Sequence, residues 1–372
     1  MNVPAAQDEA AHQLDPVPSK RLKLSIVAAS LRYVGGQSVQ ADLLVRQWRD
    51  DAAAEVKFIP IDPELPSSLQ WVERVPLLRT VVRQPFYLAS LWRALARTEI
   101  AHIFSASYWS FLIAPAPALW IARLRGKKAI IHYHSGEARD HLRRFASARA
   151  ILPKADRLVV PSEYLVDVFR EFGIEAQAVP NIVDVSQFSF RERRPVRPHL
   201  ICTRGFHPYY SVDVVVRAFA EVKKHFPDAR LDLLGHGPSE KEIRELVASL
   251  NLSGVHFLGA IARDQIGRYY DQADIFINAS WLDNMPVSIM EAFACGTPVV
   301  STSAESIPYL VEHERTGLLS EVGNPQALAE NVIRVLRDQD LSAGLAAAAY
   351  AKSKAFRWPA VRERWLDIYH SL

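Results

Sequence analysis

The feature that most constrains this 372-residue chain is a run of short apolar segments alternating with amphipathic ones, which occurs twice along the sequence. Short apolar runs bounded by turn residues predict buried strands, and strands that alternate with helices predict a parallel sheet covered on both faces. A chain of this length is also too long for one typical core. We therefore predict an α/β fold with two Rossmann-like domains whose parallel sheets face each other across a cleft.

The first half predicts strands at 22–30, 55–61, 100–104, 129–134 and 157–161, and a short one near "AVPN". The segment "LRYVGGQSVQ" reads as a glycine loop, and a helix is predicted at 41–48. The charged, proline-broken stretch "RERRPVRPH" marks a domain boundary. The predicted units are a first domain at 21–190, a second at 198–355, and a last helix at 356–372 that crosses back to the first domain.

The second half repeats the alternation. Strands are predicted in "HLICTRG", "ARLDLLG", "VHFLG", "DIFINAS" and "TPVVST", with helices between them and only helices after the last. Open sheets of this kind bind ligands at the carboxyl ends of their strands. A cleft lined by those ends is therefore the expected site.

Composition narrows the setting of the protein. Cys202 and Cys295 lie far apart without metal-ligand spacing, which favours a reducing compartment. Residues 1–20 contain acids and prolines where a signal peptide needs an apolar core, so we expect a disordered leader. The longest apolar run, "FLIAPAPALWIA", is broken by prolines and too short to span a bilayer. The expectation is a cytoplasmic protein without a membrane-spanning segment.

Positive charge is concentrated in the first half. Residues 71–157 contain fifteen Lys and Arg against five Asp and Glu, although the net charge of the whole chain is only +3. A solvated basic surface is the ordinary interpretation, and no motif indicates nucleic acid. The alternative is a dock for an acidic acceptor or an anionic membrane, which would place the protein peripherally at the inner face of the membrane. Arginines and apolar residues interleave there at helical spacing: Arg79, Arg83, Arg93 and Arg97 with Phe86, Tyr87, Leu88, Leu91 and Trp92.

The stretch "WLDNMPVSIMEAFACGTPVVST" points to a specific chemistry. Asn284 is suited to cap a helix and Pro286 to its first turn, while Gly296 is suited to end it. Asp283 then lies on the loop that enters the helix, and Glu291 lies about a turn and a half inside. A helix N-terminus carries partial positive charge and free N–H groups. The stretch therefore predicts a site for an anion such as a phosphate.

Several motifs occur in one order along the chain: "GGQSVQ", "HYHSGE", "PSEYLVDVF", "VPNIVDVSQF", "TRGFHPYYSVDVVVRAF", "LLGHGP", "VHFLGAI", "DNMPVSIMEAFACGTPVVST" and "ERTGLLSEVGNPQALA". In this combination the chain resembles the family 4 glycosyltransferases, the retaining enzymes of GT-B fold that transfer a sugar from a nucleotide donor. The resemblance covers nearly all of the chain after the leader. It implies a nucleotide-sugar substrate, and we favour a UDP-sugar over a GDP-sugar. No metal or other cofactor is expected, because no acidic pair of the Asp-x-Asp kind lies in a plausible loop and an arginine with helix dipoles can replace a cation.

The resemblance also implies roles for individual residues. Glu291 would accept hydrogen bonds from the donor ribose, and Arg204 would bind phosphate. His134 would lie beside the donor sugar, with His132 expected on the opposite face of its strand. The predicted catalytic residues are His134, Arg204 and Asp283. The predicted donor-binding residues are Gly35, Gly36, Arg204, Tyr210, Asp283, Asn284, Met285, Pro286, Val287 and Glu291.

The chain departs from the family pattern at four places. Asp283 stands where the family usually has Glu, Tyr210 where it often has Lys, and Pro286 where it often has Gly; "AES" at 304–306 replaces a common pair of glycines. These departures keep alternatives open: a non-catalytic nucleotide-sugar or membrane-binding module, or a nucleotide-sugar epimerase of the same fold. A dinucleotide-dependent oxidoreductase is disfavoured because neither "GGQSVQ" nor "LGHGPS" is G-x-G-x-x-G. The leading expectation is a retaining hexosyltransferase that acts on a hydroxyl of a glycan or lipid-linked acceptor in cell-surface polysaccharide or glycolipid synthesis.

Overall fold

The computed structural model describes residues 21–32 and 35–372, so the predicted leader at 1–20 lies outside the described residues. The first of its two sheets is parallel throughout, in the order β2-β1-β3-β4-β5-β6. Its strands are β1 (Leu22–Ala28), β2 (Ala54–Pro60), β3 (Ile100–Ser105), β4 (Lys128–Tyr133), β5 (Arg157–Val160) and β6 (Gln177–Ala178).

The second sheet is also six-stranded and parallel. Its strands are β7 (His199–Cys202), β8 (Arg230–Leu234), β9 (Val255–Gly259), β10 (Ile275–Ile277), β11 (Val299–Thr302) and β12 (Leu318–Ser320), in the order β12-β11-β10-β7-β8-β9. The predicted α/β class with two Rossmann-like halves is confirmed. The prediction of only helices after "TPVVST" is wrong, because β12, at only three residues, is too short to show an apolar pattern of its own.

Helices cover both sheets. Those of the first half are α1 (Gly36–Arg49), α2 (Pro76–Ala94), α3 (Tyr108–Ile113), α4 (Pro115–Leu124), α5 (Ala138–Arg144), α6 (Ala146–Ile151) and α7 (Glu163–Glu171). Those that follow are α8 (Val212–His225), α9 (Glu240–Ser249), α10 (Ile266–Gln272), α11 (Val287–Ala294), α12 (Ile307–Leu310), α13 (Pro325–Arg337), α14 (Gln339–Ser353) and α15 (Trp358–His370).

The glycine segment before the first helix is shorter than predicted. Helix α1 begins at Gly36 rather than at residue 41, with Gly35 extended immediately before it. The Ser38 hydroxyl accepts a hydrogen bond from the Gly35 N–H at 3.0 Å, which satisfies a donor that the helix start leaves open. The first turn contains no large apolar residue, so its apolar pattern could not reveal the start. The helix N-terminus thus lies where a loop was expected.

The last helix packs against the first sheet. Trp365 and Tyr369 of α15 are buried, and the Trp365 ring lies 4.5 Å from the ring of His102 on β3. The Tyr369 hydroxyl lies 2.8 Å from Nδ1 of His102. At the helix start, the Arg362 guanidinium bonds to the carboxylate of Asp51. The final segment of the chain is therefore part of the first domain's core.

The chain also passes between the two sheets near residues 179–188, ahead of the crossing that leads into α15. Gln40 of α1 bonds to both the N–H and the carbonyl of Ile182, at 2.8 and 3.0 Å. The N–H of Val183 donates to the carbonyl of Phe356, just before α15. The two crossing segments are thus hydrogen-bonded to each other. The boundary stretch that follows is held on the second domain, where Arg193 donates to the carbonyls of Tyr270, Ala273 and Cys295.

One arginine of helix α2, which the sequence suggested as part of an exposed basic surface, is buried in the structure. Arg83 is only 7% exposed and pairs with Glu73, while Tyr87 and Leu91 face the core beside it. A buried guanidinium is costly unless a carboxylate neutralises it, and Glu73 does so here. Arg83 is therefore not part of the exposed basic surface. Across the described parts of the chain, none of the helices has both the length and the hydropathy needed to span a bilayer.

Candidate active site

A cavity of about 500 Å³ lies between the two domains, at the carboxyl ends of both sets of strands. This is the position where open α/β sheets bind ligands. Its walls come from both domains: Gly36, Gln37, His134, Ser135, Gly136, Glu137 and Asn181 on one side, and Thr203, Arg204, Tyr209, Tyr210, Leu282, Asp283, Asn284, Met285, Pro286, Val287, Ser288 and Glu291 on the other. All predicted site residues except Gly35 are among them, and Gly35 immediately precedes α1.

Two helix N-termini meet at this cavity. Gly36 begins α1 in the first domain, and Val287 begins α11 in the second. Pro286 stands immediately before α11, where its missing N–H deprives the helix of no hydrogen bond. The free N–H groups and positive ends of two helices therefore face one space. Such an arrangement favours an anion.

Asn284 does not cap α11, contrary to the prediction. The helix begins three residues later, and the Asn284 amide bonds to the first domain instead. Its Nδ2 donates to the carbonyl of His134 at 2.9 Å, and its Oδ1 accepts from the Ser162 hydroxyl at 3.1 Å. The loop that holds Asp283 is thus also a contact between the domains.

Arg204 and Asp283 form a buried ion pair on the second-domain side of the cavity. The guanidinium also donates to the Ser288 hydroxyl at 2.9 Å and lies 3.8 Å from the centre of the Tyr210 ring. Burial is the largest single influence and lowers the pKa of Arg204, but Asp283 together with Tyr210, Cys202 and Tyr270 raises it, and the pKa of Arg204 lies above its ordinary value. Tyr210, where the family often has Lys, therefore stacks on the cation and adds no charge.

The backbone that carries Arg204 requires a glycine opposite it. A Cβ on Gly235 would lie 2.3 Å from the Arg204 carbonyl oxygen, and Gly235 has a φ of +151°. Only glycine allows this approach at low cost. Gly235 belongs to "LLGHGP", one of the motifs on which the resemblance is based. Its role in placing Arg204 depends on which strands are neighbours, so no local pattern could show it.

Asp283 is held by its own loop. Its Oδ1 accepts from the Asn284 N–H at 2.8 Å, and burial raises its pKa against the influence of Arg204. The segment at 304–306, which departs from the family pattern, supports this loop, because the Ser306 hydroxyl donates to the Asp283 carbonyl at 2.9 Å. The backbone N–H of Asn284, which the family pattern would assign to the donor, is thus hydrogen-bonded to the Asp283 carboxylate in this structure.

Glu291 is buried and belongs to a hydrogen-bond network with residues that the sequence analysis did not identify. The Tyr270 hydroxyl lies 3.0 Å from its Oε2, 2.9 Å from the Ser288 carbonyl and 2.7 Å from the Thr203 hydroxyl. Burial raises the pKa of Glu291 to about 7, although the Tyr270 hydroxyl and the charge of Arg263 oppose the shift. Glu291 is therefore poised between its neutral and ionised forms near neutral pH.

His134 lies at the first-domain wall of the cavity, just beyond β4. Burial lowers its pKa to about 3, so the imidazole is neutral at pH 7. The expectation that His132 faces away is wrong, because residues two apart on a strand share a face. The rings of His132 and His134 are 4.1 Å apart, and His132 lies 3.1 Å from His102. A row of buried imidazoles thus connects the cavity wall to Tyr369 of α15.

Across the residues that the structure describes, no group of three or more His, Cys, Asp or Glu side chains is arranged to hold a metal ion. The positive groups that line the cavity are Arg204 and the two helix N-termini. Independence from metal remains a prediction.

Comparison with known proteins identifies the family. One family model, described as Glycosyltransferase Family 4, matches residues 34–187, and a second, Glycosyl transferases group 1, matches residues 197–338. Together they span most of residues 21–372. The chain belongs to the family 4 glycosyltransferases.

Among curated relatives, the N-acetyl-alpha-D-glucosaminyl L-malate synthase of Bacillus anthracis is 28% identical over 53% of this chain and 54% of its own length. The GDP-mannose-dependent alpha-(1-6)-phosphatidylinositol monomannoside mannosyltransferase of Mycobacterium tuberculosis is 25% identical over 70% and 66%. The amylovoran biosynthesis glycosyltransferase of Erwinia amylovora is 35% identical over 38% and 37%. The chain thus spans from about a third to two thirds of the length of these relatives.

Solved structures of GT-B glycosyltransferases share the fold. Anabaena HepE in complex with UDP-glucose superposes with a TM-score of 0.73 at 17% identity, covering 94% of this chain and 100% of that one. The sucrose-phosphate synthase of Thermosynechococcus elongatus superposes with a TM-score of 0.71 at 19% identity, covering 94% and 99%. The GT-B architecture expected from the sequence is confirmed.

The pKa of Glu291 predicts how stability depends on pH. The folded state keeps the proton up to about pH 7, whereas an ordinary Glu releases it near 4.5. The contribution to the free energy of unfolding is therefore complete below pH 4.5 and is lost as pH rises to 7, by roughly 3 kcal/mol. Urea unfolding of wild type and Glu291→Gln from pH 4.5 to 8 should show this loss as a difference between the two. A constant difference would mean that Glu291 is ionised throughout.

Proposed function

We propose that the chain is a retaining glycosyltransferase that transfers a hexose from a UDP-sugar to a hydroxyl of a glycan or lipid-linked acceptor, in cell-surface polysaccharide or glycolipid synthesis. The observation that carries the proposal is the convergence of Arg204, two helix N-termini and the buried Glu291 on one cavity between the domains. Family membership supports the reaction class.

The diphosphate of the donor would bind to Arg204 and to the two helix N-termini. Breaking the bond between sugar and phosphate develops negative charge on the departing diphosphate, and fixed donors stabilise that charge. Arg204 offers a fork of N–H groups that fits two phosphate oxygens. Because Asp283 neutralises this guanidinium in the structure, an entering diphosphate would compete with Asp283 for it. The displaced carboxylate would then accept hydrogen bonds from sugar hydroxyls.

Glu291 would bind the ribose. Its carboxylate is held by Tyr270 about one turn inside α11. His134, being neutral at pH 7, is suited to hydrogen-bond a sugar hydroxyl without repelling the positive charge that develops on the sugar. Its Nε2 atom is buried and has no hydrogen-bond partner among residues 21–32 and 35–372.

The configuration at the anomeric carbon would be retained because the acceptor attacks the face of the sugar that carries the diphosphate. The acceptor hydroxyl approaches from the side on which the diphosphate leaves, and a phosphate oxygen takes its proton. The bond from the anomeric carbon to the phosphate oxygen breaks as the bond to the acceptor oxygen forms. In the structure Asp283 is paired with Arg204 and Glu291 is hydrogen-bonded to Tyr270. In the proposed donor complex Asp283 hydrogen-bonds sugar hydroxyls, so neither carboxylate is assigned as a covalent nucleophile.

The choice of UDP rests on the comparisons and not on the cavity. The HepE structures hold UDP, UDP-glucose, or UDP with glucose, whereas the mycobacterial relative is named for GDP-mannose. The polysaccharide and phosphatidylinositol relatives support a glycan or lipid-linked acceptor. A direct binding comparison of nucleotides therefore decides the donor class.

Isothermal calorimetry without added metal should show UDP and UDP-glucose binding at least tenfold tighter than GDP, GDP-mannose or ADP. Charge-assisted hydrogen bonds are worth about 1.5–3 kcal/mol each, so Arg204→Ala should weaken UDP binding by roughly 10- to 150-fold. Glu291→Gln should weaken it less, because the amide keeps one acceptor oxygen. Arg268→Ala, on the outer side of α10, is the control and should leave affinity unchanged.

Each contrary result has a distinct meaning. Tighter binding of GDP would correct the donor class and keep the transferase. Binding of none of the nucleotides would favour a non-catalytic module. Conversion of UDP-glucose to an epimer without acceptor would identify an epimerase.

Tyr210 provides a second test of the phosphate site. Its ring lies under the Arg204 cation, a contact worth about 0.5–2 kcal/mol. Tyr210→Ala should weaken UDP binding by about 2- to 30-fold, because Arg204 loses the surface that orients it. Tyr210→Phe keeps the ring and should bind UDP as the wild type does. If the Phe variant is as weak as the Ala variant, the hydroxyl and not the ring is what matters.

Glu137 distinguishes the two routes to retention. It is an exposed carboxylate at the first-domain edge of the cavity, the one remaining acid among the lining residues described above. If a phosphate oxygen takes the acceptor proton, Glu137→Gln should keep turnover within about threefold, because no step needs this carboxylate. A loss of 10³-fold or more, with a glycosyl-enzyme visible by mass spectrometry, would indicate a double displacement through Glu137.

A further inference from the structure

Helix α2 has an apolar side that faces solvent. Its core side is formed by Arg83, Tyr87, Leu91 and Ala94, all buried. On the opposite side, exposed residues follow one another three or four positions apart, namely Leu78, Val81, Pro85, Ala89 and Trp92. A helix at the surface of a globular protein normally turns polar residues outward. The outward side of α2 is therefore unusual for a surface exposed only to water.

Neighbouring helices extend this apolar side. Gln84 of α2 donates to the carbonyl of Ile113 at the end of α3, and the Arg125 guanidinium, just after α4, lies 3.9 Å from the centre of the Trp92 ring. Four large apolar side chains on α3 and α4 are exposed: Trp109, Ile113, Trp120 and Leu124. We call these four, together with Leu77 and the outward residues of α2, the apolar face. Leu77, Val81 and Leu124 are 84%, 69% and 75% exposed.

The charge of the segment that carries the apolar face is predominantly positive. Residues 74–136 contain nine Lys and Arg and a single acid, Glu99. Arg83 is buried, but Arg74, Arg93 and Arg97 are exposed at or beside the two ends of α2. Exposed apolar and aromatic side chains flanked by cations are the composition of surfaces that insert into the headgroup region of anionic membranes. A surface with this excess of cations complements phosphate-rich lipid.

The apolar face lies next to the cavity. The hydroxyl of Ser107, which precedes α3, lies 2.9 Å from the hydroxyl of Ser135 in the cavity wall. Helix α3 therefore begins at the cavity and ends against α2. A membrane in contact with the apolar face would lie beside the first-domain side of the site.

We propose that the apolar face and its flanking arginines dock the protein on the surface of an anionic lipid bilayer. Leu77, Val81 and Trp92 enter the interfacial region, and Arg74, Arg93 and Arg97 contact lipid phosphates. The side chains do not reach across the bilayer. The proposal depends only on this surface, so it holds or fails independently of which nucleotide the cavity binds.

The test is flotation of the full chain with vesicles of phosphatidylcholine alone or with 30 mol% phosphatidylglycerol. We expect binding to the anionic vesicles that weakens as salt rises, since exposed charges are screened. Leu77→Gln with Val81→Gln should weaken binding at least tenfold. Arg93→Gln with Arg97→Gln should weaken it about fivefold for each cation removed. These four side chains are exposed, so the variants should keep the wild-type fold and UDP affinity.

The control is Val322→Gln with Lys241→Gln, an exposed apolar residue and an exposed cation of the second domain. It should bind vesicles as the wild type does. Equal loss in this control, or no binding of the wild type to anionic vesicles, would overturn the proposal. Self-association in sedimentation velocity that Leu77→Gln with Val81→Gln abolishes, without vesicle binding, would instead assign the apolar face to a second copy of the chain.

Discussion

The ion pair between Arg204 and Asp283 is the interaction around which the cleft is organised. Both groups are buried, and a buried charge that loses its partner costs several kcal/mol. The two must therefore be placed together by the fold. Arg204 depends on the close approach of Gly235, and Asp283 on the N–H of the residue that follows it. The same loop then enters α11, so six consecutive residues, 283–288, set the charge, the helix N-terminus and the contact with the other domain.

The segment 283–288 contributes both to the proposed donor site and to the contact between the domains. A diphosphate that binds Arg204 competes with Asp283, and the next residue, Asn284, is bonded to the first domain through His134 and Ser162. Donor binding and the contact between the domains are therefore linked through adjacent residues, with no longer path needed. The His134 carbonyl that accepts from Asn284 belongs to the same residue whose ring faces the cavity. The residue proposed to contact the sugar is therefore also part of the contact between the domains.

The sequence was sufficient for the architecture because parallel strands buried on both faces are apolar runs. It also pointed to residues that the structure places in the cavity wall, such as Glu291, because a motif marks them. It could not show Tyr270, Thr203 or Gly235, because their roles come from strands that become neighbours only in the sheet. It misplaced the start of α1, where the first turn lacks an apolar residue. The error at His132 was one of strand geometry and could have been avoided.

Helix α2 shows most clearly what hydrophobic periodicity in the sequence cannot predict. It is apolar on more than one side, so periodicity alone does not decide which side meets the core. The structure decides it: the core takes Arg83 together with Glu73, and Leu78, Val81 and Trp92 are left outside. Large apolar side chains exposed to water are unfavourable, and these three stay 37%, 69% and 49% exposed. The proposed reaction gives that surface a use, because a lipid-linked acceptor would be presented at the bilayer on which the apolar face rests.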